Sequence, residues 1–199
     1  MYDAAMWPFE RAAVGAWRRR LAATASGRVL EIGAGTGSQL RWYAPDADVT
    51  ALEPDVSMLE RARRRAAQAA ARVTLVEGRA EELQFDDASF DTVMSAFALC
   101  SVADPAAALD ELRRVLVPGG ALLLLEHVHL AWEPGRSLQT RAAPAWAAAA
   151  GGCRLDRDAV RSAREAGFTV LQERAHLAGW IREARARSPI RLRQATRPD

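Results

Sequence analysis

Apolar and polar positions divide the chain into short buried runs separated by amphipathic stretches. Residues 9–22 place Phe9, Ala13, Ala16, Trp17 and Leu21 near helical spacing with Arg between them, which predicts an N-terminal helix. Arg28–Ile32 is a short β-rich run ending on glycine. Ser38–Tyr43 reads as the first turns of a helix, and Val49–Leu52 as a second strand. Val56–Ala70 is predicted as a long helix, with Val56, Leu59, Ala62 and Ala66 inward and Arg61, Arg64 and Arg65 outward. Val73–Val76 and Phe90–Ser95 are the third and fourth strands. Ala106–Leu116 carries Leu109, Leu112 and Leu116 on one helical face, Pro118-Gly119-Gly120 stops it, and Ala121–Leu125 is a fully apolar fifth strand.

Strands thus alternate with helices five times, the pattern of a parallel sheet covered on both faces. Residues 127–150 read as irregular and rich in Ala, Trp and Pro. Asp156–Ala166 is a helix with Gly167 just past its end, and Phe168–Leu171 and Ile190–Ala195 are candidate last strands. With no internal repeat or linker, the 199 residues make one domain.

Composition narrows the classes. A net charge of +2, with Arg spread along the chain and no base-reading motif, gives no reason to expect nucleic acid. Every basic side chain except His is Arg, and Ala is abundant, which implies a G+C-rich coding sequence of the kind found in many bacteria. Cys100 and Cys153 form neither a C-x-x-C pair nor a zinc spacing, so the expectation is a reduced, cytoplasmic protein with no metal site. The N-terminus lacks a signal-peptide core. Ala121–Leu125 and Ala142–Ala150, the longest apolar strings, fall short of the roughly 20 residues that span a bilayer, so no stable membrane insertion is expected. Arg18-Arg19-Arg20 beside Trp17 offers either a contact for anionic lipid or, more simply, a solvated helix face.

The most informative segment is Glu31-Ile32-Gly33-Ala34-Gly35-Thr36-Gly37, a buried strand running into three alternating glycines and then a helix. Glycine lets the backbone turn tightly and approach a ligand closely. A dinucleotide loop requires G-x-G-x-x-G, but here the third glycine falls one residue early and Ser38 takes its place. Glu31 would also set a negative charge beside a pyrophosphate, whereas it suits a ligand carrying an amino cation and a sulfonium. A plain structural turn is the simpler alternative. Glu53, at the end of strand two, is placed to accept both ribose hydroxyls of a nucleoside. It can equally act as a helix N-terminal acid, and Asp55 can cap the helix beside it.

This E-x-G-x-G-x-G run resembles class I S-adenosylmethionine (SAM)-dependent methyltransferases. Glu77-Gly78-Arg79-Ala80-Glu81, Phe90–Ser95 and Leu116–Gly120 resemble the later motifs of that superfamily in order and spacing. The resemblance implies a Rossmann-like α/β fold, with a seven-stranded, mostly parallel sheet and helices on both faces. It implies SAM held by Tyr2, Glu31, Gly33, Ala34, Gly35, Thr36, Gly37, Glu53, Pro54, Met58, Arg79, Ala80, Glu81 and Ser95. Arg79 stands where many relatives carry an adenine-binding Asp, which leaves backbone groups at Ala80 and Glu81 to serve adenine. Residues 1–27 would form a helical lid and 127–155 an insertion over the substrate.

Leu99-Cys100-Ser101-Val102, Glu126-His127-Val128, Pro144-Ala145-Trp146 and the spaced Gly151, Cys153, Leu155 and Arg157 resemble the methyltransferase-like thiol S-methyltransferases. That resemblance implies a small thiol acceptor. Phospholipid or quinone methylation and a catalytically silent SAM-binding role are the alternatives. His127, at the end of strand five, is the candidate general base, against a merely backbone-bonded histidine. Phe97, Cys100, His129, Trp132 and Trp146 form the expected acceptor pocket, although Cys100 can also be a small packing residue. His129 is the second candidate base, Cys153 is weaker than Cys100, and His176 is expected to be structural. The partner is then a small-molecule acceptor, for a monomer or weak homodimer.

Overall fold

The computed structural model describes residues 14–149 and 151–190. Tyr2, Phe9, Ala13 and the segment 191–195 lie outside them. The described elements are α1 (Gly15–Ala22), β1 (Arg28–Ile32), β2 (Asp48–Glu53), α2 (Val56–Ala66), β3 (Arg72–Glu77), β4 (Phe90–Ala96) and α3 (Pro105–Val115). They continue with β5 (Leu116–His127), α4 (Gly135–Ala149), α5 (Ala159–Glu165), β6 (Thr169–His176) and β7 (Ile181–Arg187). The strands form one sheet in the order β3-β2-β1-β4-β5-β7-β6. β1 to β5 are mutually parallel, and β7 runs antiparallel to both β5 and β6.

Strand periodicity builds the core in two layers. On β5, Leu122 and Leu124 join Leu30, Ile32 and Val93 on the face covered by Leu109 and Leu112 of α3 and Val160 of α5. Leu123 and Leu125 turn the other way and meet Val29, Met94, Leu21 of α1, Leu40 and Tyr43. Adjacent residues supply opposite faces because side chains alternate across a strand. Three helices start on an aspartate whose side chain accepts backbone N–H groups of the first turn: Asp55 for α2, Asp104 for α3 and Asp158 for α5.

Several boundaries differ from the expectation. Ser38–Tyr43 yields only a 3-10 turn at Leu40–Trp42. α2 ends at Ala66, and Val56, its first residue, is half exposed, while Leu59 and Ala62 are buried. Pro118-Gly119-Gly120 lies within β5, at a register shift against β4 between the pairs Phe90–Leu116 and Thr92–Ala121. Much of the supposedly irregular 127–150 segment is the helix α4, with Pro144 inside it. The last strand is Ile181–Arg187, and Ile190 stands beyond it, exposed. The Arg18–Arg20 run is partly solvated and partly engaged: Arg19 is exposed over the Trp42 ring, Arg18 bonds Gln39, and Arg20 pairs with the buried Glu183.

The strand order reverses between β1 and β4, so the crevice at their carboxyl ends is where an open α/β sheet takes its ligand. The glycine loop follows β1 there, and the Phe97–Val102 loop follows β4.

Candidate active site

Gly33, Gly35 and Gly37 all have positive φ, at 60°, 56° and 78°. A Cβ on Gly33 would come within 2.5 Å of the Ala98 Cβ, so this glycine lets the β1 loop touch the β4 loop. A Cβ on Gly35 would meet nothing within 4 Å, which leaves the space over the loop open to a ligand. Glu53, 8% exposed, accepts the Gly35 N–H at 2.8 Å with one oxygen and the Asp55 N–H at 3.1 Å with the other. It therefore holds the loop as well as presenting a carboxylate at the end of β2.

Glu31 is buried, and its carboxylate accepts the Tyr43 hydroxyl at 2.9 Å. Burial pushes its pKa from 4.5 to about 7, against the opposing pull of the Tyr43 hydrogen bond and the Arg18 charge. A buried carboxyl poised at neutral pH beside an open glycine loop fits a cationic amino group. The acids at β1 and β2 with the cradle between them therefore suit SAM.

The loop after β4 is held from β5. Glu126 is fully buried and accepts the N–H groups of Ala98 and Leu99 at 3.1 Å each and of Cys100 at 3.2 Å, plus the Ser95 hydroxyl at 2.6 Å. Burial raises its pKa, and those four donors oppose the rise. Phe97 sits at φ 60°, a left-handed conformation costly for an aromatic residue and tolerated where neighbouring contacts fix the turn.

His127 follows Glu126 and lies at the same edge. Its Nδ1 is 3.4 Å from the Cys153 Sγ, which is 3.4 Å from the Cys100 Sγ. Both cysteines are buried free thiols. The Cys100 thiol hydrogen bond and His127 hold Cys153 below the usual thiol range, while that same hydrogen bond and burial push Cys100 up. Phe97, Trp180 and Trp146 surround the imidazole, with ring centroids 4.7, 5.5 and 6.4 Å away. Ala143 of α4 packs onto the two cysteines and Leu155.

Spacing along the chain shows no ligand cluster, yet the fold gathers three donor side chains. Residues 100, 127 and 153 are far apart in sequence, but the ends of β4 and β5 and the loop before α5 bring them together. Ser95, expected at the cofactor, is fully buried with its hydroxyl on Glu126. His129 bonds Thr140 of α4 at 3.0 Å, which ties down the helix instead of joining the cluster. Trp132 is half exposed and packs by Gly135, outside the aromatic wall. Arg79 is 62% exposed and pairs with Glu81, whose carboxylate accepts the Ala103 N–H. Ala34 and Ala80 are buried, Pro54 is exposed and Met58 is intermediate at the start of α2. The Thr36 carbonyl accepts from Arg65. His176 stacks on Trp17 and bonds Glu183, the structural role expected of it. The sequence reading missed Tyr43 and Trp180, whose roles depend on tertiary contacts, and underrated Cys153.

A doubly wound sheet with its last strand reversed, a glycine cradle after β1 and an acid ending β2 define a class I SAM-dependent methyltransferase. A methyltransferase-domain family profile matches residues 30–124. Demethylmenaquinone methyltransferase of Parafrankia sp. is 36% identical over 193 residues, which span 83% of this chain and 76% of that protein. The chain belongs to the class I SAM-dependent methyltransferases. Thiol S-methyltransferase TMT1B of Homo sapiens is 35% identical over 158 residues, 74% of this chain and 63% of that protein. The chain spans 46% to 63% of the length of several curated relatives, the human protein among them. A SAM-dependent methyltransferase of Thermotoga maritima superposes with a TM-score of 0.69 at 23% identity, covering 93% of each chain, a likeness in fold. No helix among the described residues is long and apolar enough to cross a membrane.

Proposed function

We propose that the protein transfers the methyl group of SAM to a small thiol. The observation that carries this reading is convergence. Four strings that resemble thiol methyltransferases are scattered from residue 99 to 157. Their Cys100, His127, Trp146 and Cys153 meet at one edge of the sheet, beyond the glycine loop. Bound SAM would supply a methyl carbon already activated by its sulfonium. Glu31 would face its amino group and Glu53 its ribose, while Gly33, Gly35 and Gly37 admit it closely. Tyr2, Met58, Arg79, Ala80 and Glu81 remain proposed cofactor contacts.

The chain's remaining task is alignment, worth roughly 7–11 kcal/mol in a well-oriented displacement. A free thiol is about 3% ionised at pH 7, so it needs little help from a base. The wall of Phe97, Trp146 and Trp180 suits an apolar acceptor. His127 was read as a base, but its Nδ1 already engages Cys153, so the proton nearest that atom belongs to a protein thiol.

The test is release of S-adenosylhomocysteine with small alkyl and aryl thiols, phenols, amines and lipids as acceptors. Turnover with thiols is expected. No turnover on any thiol, with good turnover on a lipid, amine or reduced quinone, overturns the reading. A reduced quinone is the second reading, favoured by the exposed Trp132 and Leu138 at α4 and by the Parafrankia relative.

A further inference from the structure

We infer that Cys100, His127 and Cys153 form a binding site for a thiophilic divalent cation of the zinc type, with its fourth position open to the acceptor. Two thiols and an imidazole are the donor set that such cations prefer. The ligating atoms lie within 4.8 Å of one another, and two of the three edges measure 3.4 Å. Tetrahedral zinc with bonds of about 2.3 Å to sulfur and 2.0–2.1 Å to nitrogen requires edges of about 3.6–3.8 Å. Two edges are therefore within a few tenths of an ångström of the required length before any cation enters, and the third is at most 4.8 Å.

The three donors are also held independently of a metal. The Glu126 carboxylate fixes the Cys100 backbone, and the next residue on β5 is His127 itself. The Arg154 N–H donates to the Cys100 carbonyl at 2.8 Å, and the Arg157 guanidinium donates to the same carbonyl at 3.3 Å. These bonds tie the segment carrying Cys153 to the loop carrying Cys100. Outer contacts of this kind pre-orient metal ligands. Sealing differs from one ligand to the next. Cys100 and Cys153 are buried, whereas His127 is partly accessible between the aromatic rings. Three protein ligands and one accessible side make the pattern of a site that also takes water or substrate.

Binding replaces two thiol protons, which leave to solvent as the cation gains two thiolates. On the thiol reading of the function, an acceptor thiol takes the fourth position and loses its proton to solvent. Its sulfur then forms a bond to the methyl carbon as the carbon–sulfonium bond breaks, and the bond pair returns to the cofactor sulfur. His127 is then a ligand, not a base. Without the thiol reading, the metal site still stands on its geometry.

The experiment uses the full chain purified under reducing conditions and needs no turnover. Elemental analysis is expected to find about one zinc per chain. Cobalt exchanged into the site should give intense tetrahedral d–d bands and a thiolate-to-cobalt charge-transfer band. Cys153→Ser should weaken the charge-transfer band, and Cys100→Ser combined with Cys153→Ser should abolish it. Retained SAM binding by each variant serves as the folding control. Should the double variant not fold, His127→Asn, which keeps both sulfurs, must still lower zinc affinity by tenfold or more. Metal-free protein with two freely titrating thiols overturns the proposal, as does a Cys100–Cys153 disulfide in place of zinc. A cobalt spectrum unchanged in the variants does so too. Zinc binding without thiol turnover would reject only the acceptor reading.

Discussion

Glu31, buried and proposed to face the amino group of SAM, would trade stability for binding. Its folded pKa, near 7, lies above the ordinary 4.5. The stability it contributes is therefore fully present below pH 4.5 and is lost as the pH rises through 7. About 2.5 units correspond to about 3 kcal/mol. Glu31→Gln is accordingly expected to melt higher than the parent at pH 8 and at about the same temperature at pH 4. The same substitution should weaken SAM binding at pH 8, because the amino cation loses its carboxylate. From pH 8 to pH 6 the parent should lose about tenfold more affinity than the variant, since about nine-tenths of a group with pKa 7 is protonated at pH 6. Calorimetric titrations on both proteins check this, and parallel pH profiles would remove Glu31 from the amino-group site. The glycine loop and Glu31 were legible because they lie within one contiguous string, and Glu53 because it ends the next strand. Tyr43 was not, because only the fold brings its hydroxyl to Glu31.

The loop after β4 depends on an element distant in sequence. Three buried N–H groups of that loop have the Glu126 carboxylate as their acceptor. Glu126→Ala would orphan the Ala98 and Cys100 N–H groups and the Ser95 hydroxyl, and would leave the Leu99 N–H only its long contact to the Ser95 oxygen at 3.4 Å, at about 1–3 kcal/mol for each unsatisfied group before relaxation. Urea unfolding is expected to show a loss of at least about 3 kcal/mol, and a loss under about 1 kcal/mol would mean that water replaces the carboxylate. Elements with clean periodicity, such as β5 and α3, were readable from hydrophobic spacing. β7 was hidden because its inward Glu183 reads as polar, although Arg20 and His176 satisfy it within the fold. α4 was hidden by Pro144 and a string of alanines, which give a helix no distinct apolar face. The Cys100, His127 and Cys153 cluster was invisible to spacing rules because its ligands come from three separate segments.

For the whole molecule, alternation of strands and helices foretold the parallel half of the sheet, and the family resemblance supplied the seven-stranded whole. The end of β5 places His127, and the start of the reversed β7 places Trp180, at the same carboxyl edge as the glycine loop, with Ala143 of α4 packed at the cluster. On the proposed function, cofactor and acceptor share one crevice, and the chemistry turns on which nucleophile enters it. The most direct measurement gives the protein SAM with an isotopically labelled methyl group and an equimolar mixture of an alkyl thiol, a phenol and a reduced quinone. Mass spectrometry then locates the label. The expected result is a labelled thioether formed in equal amount to S-adenosylhomocysteine, with the phenol and quinone unlabelled. Label on oxygen or ring carbon, or none on any acceptor while SAM binds normally, would contradict methyl transfer to a thiol.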